Sequence, residues 1–180
     1  YYKSPLGRIS RALVREQIIA LSGNLSGKRV MGLGFASPYL RFALEPAPGE
    51  IQALRTLACA DHARFEDAVR FYLAGANAQV AHAVIAIANP VDGDAIRMTN
   101  HHWAFSIEAA RRAMDLETLL VVNDFTALAM SLPALQPGDL AQVGGGTALP
   151  GAAVGLVGAG TGLGVSGLLP SGERWIPLNS

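Results

Sequence analysis

The chain contains little cysteine and little charge. Its single cysteine, Cys59, cannot form an internal disulfide and has no second thiol with which to share a zinc ion, so a disulfide scaffold and a cysteine-type zinc site are excluded. Charged residues make up only 16% of the sequence and hydrophobic residues 51%, which excludes a mainly disordered chain. The 180 residues suffice for one ordinary domain or for a large part of a bigger protein.

One long stretch has no charge at all. The 33 residues between Asp139 and Glu173 are uncharged, whereas a membrane-spanning helix needs about 20 apolar residues. Eleven of the 33 are glycine, which disfavours a helix, so we expect buried strands and tight turns and no membrane partner. Basic residues interrupt every apolar run near the start. We therefore expect no signal peptide, and a reducing, cytoplasmic location is favoured.

The net charge of zero conceals two segments of opposite charge. Residues 1–41 carry seven Lys and Arg against one acid, a net charge of +6, and residues 42–180 carry −6. Such a shift in composition predicts a boundary near residue 40. A basic amphipathic arm that touches nucleic acid or lipid is the alternative. Tyr1 and Tyr2 are the only aromatic residues in its first 30, so we expect no nucleic-acid partner.

The spacing of apolar residues predicts alternating strands and helices, and so an α/β fold. Helices are predicted over residues 5–22, 51–57, 65–73, 107–114 and 125–132. Strands are predicted over residues 29–33, 41–44, 84–88, 119–122, 153–157, 162–169 and 175–177. Ser106 is expected to cap the helix that follows it. Gly32-Leu33-Gly34 is predicted as a glycine turn, a weak candidate for a cofactor loop.

The dipeptide Asn123-Asp124 is the first candidate for chemistry. Asp124 is predicted at the carboxyl end of a strand, the edge of an α/β sheet where ligands bind. An ionised aspartate there can accept a hydroxyl proton while the neighbouring amide orients the same substrate. Alternatively, Asp124 only caps the helix that it precedes.

The second candidate is the glycine loop over residues 158–164. Missing Cβ atoms let backbone amides approach a phosphate, and the Thr161 hydroxyl adds a donor. A plain tight hairpin is the alternative. His101-His102 is not expected to bind metal, because adjacent residues of a strand point to opposite faces and no further ligands complete a site.

From residue 41 onward the sequence closely resembles bacterial ATP-dependent glucokinase, of the hexokinase-like and actin-like ATPase superfamily. The matching segments are RFALE at 41–45, IAIANP at 85–90, MTNHHWAFS at 98–106, VNDFTA at 122–127 and GAGTGLG at 158–164. They stand in the family's order. The resemblance implies a ribonuclease H-like mixed sheet with flanking helices and an incomplete second domain. It also implies phosphoryl transfer from ATP to D-glucose, giving glucose 6-phosphate in the first step of glycolysis.

The resemblance assigns roles to individual residues. It implies that Asp124 is the base for the glucose 6-hydroxyl and that Asn123 holds the sugar. Asn100, in Thr99-Asn100-His101, is expected at the wall of the sugar cleft, although a structural junction fits that segment nearly as well. Gly160, Thr161 and Gly162 are implied at the second phosphate loop. ATP and Mg²⁺ follow as cofactors and glucose as partner, and a homodimer stays open.

The sequence departs from the family in its first phosphate loop. The family's Asp-x-Gly-Gly-Thr-Asn should occupy positions 34–39, where this chain has Gly34, Phe35, Ala36, Ser37, Pro38 and Tyr39. The aspartate is lost, and Pro38 removes a backbone donor. The family also continues beyond Arg174-Trp175 with further sugar ligands and most of a second domain. We therefore expect little or no kinase activity from this chain.

Residues 1–40 resemble the start of a class I S-adenosylmethionine-dependent methyltransferase, through SPLGR at 4–8 and RVMGLGFASPYL at 29–40. We therefore predict a chimera, with a methyltransferase-like helix and strand over 1–40 and a glucokinase N-terminal domain with the start of a second domain over 41–180. Two other functions stay open. They are a methyltransferase fragment that binds S-adenosylmethionine, and a non-catalytic fragment that binds sugar or assembles through its apolar face over 154–169.

Overall fold

The computed structural model describes residues 30–36, 39–47, 50–99, 101–159 and 163–178. The helix predicted over residues 5–22 lies outside these ranges. The described residues belong to two compact units, one ending at Asp124 and the other beginning at Phe125. We describe each unit by itself.

The strands and helices of the first unit follow one another along the chain. They are β1 Val30–Ala36, β2 Tyr39–Glu45, β3 Gln52–Ala58, α1 Phe65–Gly75, β4 His82–Ile87, β5 Ala95–Arg97, β6 Ala104–Ser106, α2 Ile107–Ala113 and β7 Thr118–Asn123. Helix α3, Asp124–Met130, begins at the last residue of this unit. The second unit then contains β8 Val154–Ala159, β9 Leu163–Ser171 and β10 Arg174–Leu178.

A five-stranded mixed sheet forms the centre of the first unit, in the order β3-β2-β1-β4-β7. Strands β1, β2 and β3 are antiparallel neighbours, whereas β4 and β7 run parallel to β1. The parallel strands bring their carboxyl ends to one edge of the sheet. Strands β5 and β6 form a separate antiparallel pair.

The core of the first unit lies on one face of this sheet. Leu40, Phe42 and Leu44 of β2 share this face and belong to the core cluster, and Ala43 between them is buried as well. Helix α1 contributes Tyr72, whose ring stacks on Phe42 with centroids 4.7 Å apart. The strands predicted at 41–44 and 84–88 correspond to β2 and β4.

Strand β3 contradicts the helix predicted over residues 51–57. Its pairing with β2 shifts register between Phe42 and Leu44, so that β3 carries one extra residue. Ala53 at this irregularity has a φ of 49°, which no right-handed helix contains, and its carbonyl accepts a hydrogen bond from the Tyr72 hydroxyl at 2.9 Å. Pairing with β2 and the contact from α1 have overridden the local helical pattern.

The glycine turn predicted at Gly32-Leu33-Gly34 is also wrong, because all three residues lie inside β1. The backbone of β1 pairs with β2 on one side and β4 on the other, and Gly32 stands between Ala43 and Val84. Extended pairing on both sides leaves no turn for a cofactor. The predicted division at residue 40 stays a prediction.

Helix α2 has the cap that the sequence predicts. The Ser106 hydroxyl accepts a hydrogen bond from the backbone N–H of Ala109 at 3.0 Å. In the first turn, hydrogen bonds from Arg111 and Arg112 hold the pKa of the Glu108 carboxyl at about 2. A hydrogen bond with Ser106 likewise lowers the pKa of Asp94, whose carboxylate accepts the backbone N–H of Glu108 at 2.8 Å.

The second unit contains an antiparallel sheet in the order β10-β9-β8. One face packs Leu168 against Ala129 and Met130 of α3. The helix ends at Met130, two residues before the predicted end, and a turn of 3₁₀ helix with Pro133 follows. None of the helices within the described ranges is long and apolar enough to cross a membrane.

Candidate functional site

Asn123 and Asp124 lie at the carboxyl edge of the parallel strands. Asn123 ends β7 opposite Ile87, the last residue of β4, and Asp124 begins α3. Both side chains are half-buried. The structure therefore places the predicted pair where a buried strand meets a new helix, at the edge where ligands of α/β sheets bind.

A hydrogen bond fixes the orientation of the Asn123 amide. Its Nδ2 donates to the backbone carbonyl of Asn89 at 3.0 Å. Asn89 follows the end of β4, so the bond links the two neighbouring strands just beyond their carboxyl ends. Because Nδ2 points toward the Asn89 carbonyl, the orientation of Oδ1 in the same planar amide is fixed as well.

Asn89 connects three segments around this edge. Its side chain is 7% exposed, and its Nδ2 donates to the Arg97 carbonyl at 2.8 Å and to the Thr99 hydroxyl at 2.6 Å. Its Oδ1 accepts the backbone N–H of Thr99 at 3.2 Å. Every strong donor and acceptor of the carboxamide group thus takes part in holding the segment that leads to Asn100. No role was predicted for Asn89, which lies in the IAIANP segment. Its position before Pro90, at the end of a strand, is the sequence signal that could have indicated a structural role.

The segment between β5 and β6 is connected to the candidate site through Asn89. Thr99 is described, whereas Asn100, which was predicted in the cleft wall, lies outside the described residues. Trp103 is buried and donates its indole N–H to the His62 carbonyl at 3.0 Å. His102 lies 3.1 Å from the Ala63 carbonyl through Nε2. These two contacts tie the segment to the chain that enters α1.

The expectation that His101 and His102 point to opposite faces is wrong. The two residues lie in a bend, and their ring centroids are 4.1 Å apart. His101 also meets Trp103 edge to face at 4.6 Å, and burial, followed by the neighbouring charge of His102, lowers the pKa of His101. Nevertheless, the described part of the chain contains no group of three His, Cys, Asp or Glu side chains that could hold a metal ion.

The glycine loop is described only at its flanks. Gly160, Thr161 and Gly162 lie outside the described residues, while Gly158 in β8 pairs with Gly164 in β9. The strands that flank the segment implied as the second phosphate loop, β8 and β9, pair antiparallel. Position 34, where the resemblance requires an aspartate, is a glycine within β1, opposite Arg41.

Solved structures identify the class of fold. The described architecture resembles a glucokinase from an Antarctic psychrotroph with a TM-score of 0.74 and 27% identity, over 85% of this chain and 50% of that one. The match to glucokinase from Balamuthia mandrillaris in complex with glucose covers 96% of this chain and 52% of that one, with a TM-score of 0.60 and 16% identity. The fold is that of the actin-like ATPase superfamily, as predicted.

Sequence comparison identifies the family. A sequence model of the family described as Glucokinase matches residues 39–180. Glucokinase from Chromobacterium violaceum is 58% identical over 139 residues, or 77% of this chain and 40% of the relative. "Bifunctional protein glk" of Burkholderia pseudomallei is 59% identical over 141 residues, or 78% of this chain and 22% of the relative. The chain belongs to the glucokinase family, and it spans less than half the length of these relatives.

Proposed function

We propose that this chain carries the sugar-binding edge of an ATP-dependent glucokinase, which converts ATP and D-glucose into ADP and glucose 6-phosphate. The observation that carries the proposal is the Asn123-Asp124 pair beyond β7, with the Asn123 amide fixed on the Asn89 carbonyl. The family and the relatives named above support it. A ROK family glucokinase from Streptomyces griseus in complex with glucose and AMPPNP shares the fold, with a TM-score of 0.53 and 18% identity.

Asp124 is the proposed base. Its carboxylate takes the proton of the glucose 6-hydroxyl as that oxygen attacks the γ-phosphorus of ATP. The new O–P bond forms while the bond from the γ-phosphorus to the bridging oxygen breaks, and ADP leaves with that electron pair. Phosphoryl transfer depends mainly on positioning and charge stabilisation, so one placed carboxylate is sufficient base for this step.

Asn123 and Asn100 are the proposed sugar ligands. The Asn123 amide is held through Asn89, and Asn89 also holds Thr99, the residue before Asn100. Asn89 thus supports both segments that supply sugar ligands, Asn123 through its backbone carbonyl and Thr99 through its side chain. Pre-organised polar groups bind hydroxyls with less loss of conformational entropy than mobile ones.

ATP is the proposed phosphate donor, bound by the hairpin connection Gly160, Thr161 and Gly162. Backbone amides of a glycine-rich connection suit phosphate oxygens. Magnesium, which neutralises charge on the transferred phosphoryl group when it is bound, fits the described residues poorly. Position 34 is glycine where the family has aspartate, so that position offers the ion no carboxylate oxygen. We expect slow turnover.

The proposal is tested by glucose-dependent ADP formation from ATP and Mg²⁺, and by glucose binding in a calorimeter. Asp124→Asn should abolish ADP formation while glucose binding persists more weakly. Asp115→Asn is the matched control, because Asp115 is exposed and asparagine tolerates its φ of 55°. Turnover unchanged by Asp124→Asn, or a chain that does not bind glucose, would overturn the assignment.

We propose a cytoplasmic location for this activity. Cys59 is a buried free thiol, and burial raises the pKa of its thiol group, which keeps it in the unreactive protonated form. Such a residue suits a reducing compartment.

A further inference from the structure

Two glycines on the β8–β9 hairpin face the ring of Phe125. Gly158 and Gly164 are directly opposite each other, so their missing side chains would point to the same face of the hairpin. A Cβ placed on Gly158 would lie 2.8 Å from Cε1 and Cζ of Phe125, and a Cβ on Gly164 would overlap the same ring. The ring occupies the space that two side chains would otherwise fill.

Backbone conformation does not explain these glycines. Neither Gly158 nor Gly164 has a positive φ, whereas Gly151 and Gly172 do. Gly155, on the same strand as Gly158, has open space where its Cβ would stand. A glycine within a strand often marks the close approach of another group, and here that group is Phe125.

Phe125 shares a face of α3 with Ala129, because residues four apart on a helix lie above one another. Ala129 belongs to a buried cluster with Leu168 of β9, and Val154 and Leu156 of β8 pack against that cluster. The helix therefore lies along one face of the hairpin. Its first turn sits on the glycine pair that borders the connection at 160–162.

We propose that Phe125 is a positioning residue, whose ring on the Gly158–Gly164 pair fixes the first turn of α3 and thereby the carboxylate of Asp124. The inference rests on the proposed function, since it concerns the residue assigned there as base. Asp124 is the first residue of α3, and Phe125 follows it directly, so a shift of the ring is transmitted through one peptide unit. Glycine at 158 and 164 is then required for space and not for phosphate binding.

The contact is tested by thermal unfolding of the full chain. Gly164→Ala should lower the melting temperature by about 5 °C or more, because the new methyl group displaces the ring. Gly155→Ala is the matched control and should leave it within about 2 °C. In a Phe125→Ala background, Gly164→Ala should have no further effect. Equal losses in both backgrounds would overturn the contact, and Gly158→Ala replaces Gly164→Ala if that variant does not fold.

The positioning role is tested with glucose and 6-deoxyglucose, which lacks the hydroxyl that Asp124 is proposed to contact. A hydrogen bond to a charged group predicts that the wild-type chain binds glucose about tenfold more tightly or better. Asp124→Ala should remove this preference. Phe125→Ala should reduce it to about twofold or less with 6-deoxyglucose binding unchanged, and Phe125→Leu should restore part of it.

The outcomes separate the two claims. A wild-type chain that binds neither sugar would overturn the proposed function, and the positioning role with it. A preference that requires Asp124 but survives Phe125→Ala would leave the proposed function standing and overturn only the positioning role. Loss of stability alone lowers the folded fraction for both sugars equally and leaves the ratio of their affinities unchanged.

Discussion

Replacing Asn89 with alanine should weaken both the fold and the candidate site. The substitution removes two hydrogen bonds donated by Nδ2, to the Arg97 carbonyl and the Thr99 hydroxyl, and one accepted by Oδ1 from the Thr99 N–H. The bond from Asn123 goes to the backbone carbonyl of Asn89, so it survives the loss of the side chain only if the backbone stays in place.

The expected loss follows from these three bonds. Each contributes about 1 kcal/mol net to the free energy of unfolding, so their sum is about 3 kcal/mol. Asn89 itself is buried, but Arg97 and Thr99 are exposed, and water can replace part of what they lose. We therefore expect Asn89→Ala to lower the free energy of unfolding by about 2 kcal/mol. Loosening of Asn123 should weaken glucose binding about fivefold.

Urea denaturation of the 180-residue chain measures the first effect, and calorimetric titration with glucose measures the second. Thr99→Val isolates the hydroxyl and should lose about 1 kcal/mol. Ser166→Ala is the matched control, because it removes one side-chain bond to a backbone carbonyl, that of Leu178, in the other unit. It should reduce stability without changing the affinity for glucose. A loss below about 0.5 kcal/mol for Asn89→Ala would refute the reasoning.

Two further predictions concern His101 and the exposed face of the β8–β9–β10 sheet. Because the folded pKa of His101 lies below its ordinary 6.5, the unfolded chain binds the proton first, and the free energy of unfolding should fall as the pH drops below 6.5. His101→Gln should reduce that slope in urea titrations between pH 7 and pH 5, and an identical slope in both proteins would contradict this. Val157 pairs with Val165 and Leu169 with Ile176, all four at least 42% exposed, so the chain should self-associate in sedimentation velocity. Val165→Lys should weaken the association, and a monomer at all concentrations would exclude it.

Local signals in the sequence predicted the elements that local chemistry determines. The cap at Ser106 needs only a hydroxyl three residues before the N–H that it accepts, and it is present. Strand β2 was predicted because the short run at 41–44 is mostly apolar. Strand β3 could not be predicted in this way, since it depends on pairing with β2 and on an irregularity at Ala53 that the Tyr72 hydroxyl stabilises from 19 residues away.

The same distinction applies to the candidate site. Asn123 and Asp124 are adjacent in sequence, and their place at a strand end follows from the apolar run before them. The role of Asn89 does not follow from its neighbours. Its partners are eight, ten and 34 residues away, and the parallel pairing of β4 with β7 is what brings the most distant of them, Asn123, to it.

The glycine-rich motif shows why a motif alone cannot assign a role to each of its members. The sequence left two interpretations of residues 158–164 open, a phosphate-binding loop and a plain tight hairpin, and the resemblance implied only Gly160, Thr161 and Gly162 at the phosphate. The fold places Gly158 and Gly164 in paired strands with a phenylalanine ring above them, and the connection between them contains Gly160 and Gly162. Space for a ring and access for a phosphate both require a missing Cβ, so the sequence cannot distinguish them. Substitution does distinguish them. A methyl group at Gly164 should be tolerated once Phe125 is removed, whereas an added side chain at a phosphate-binding glycine would remain harmful to nucleotide binding in either background.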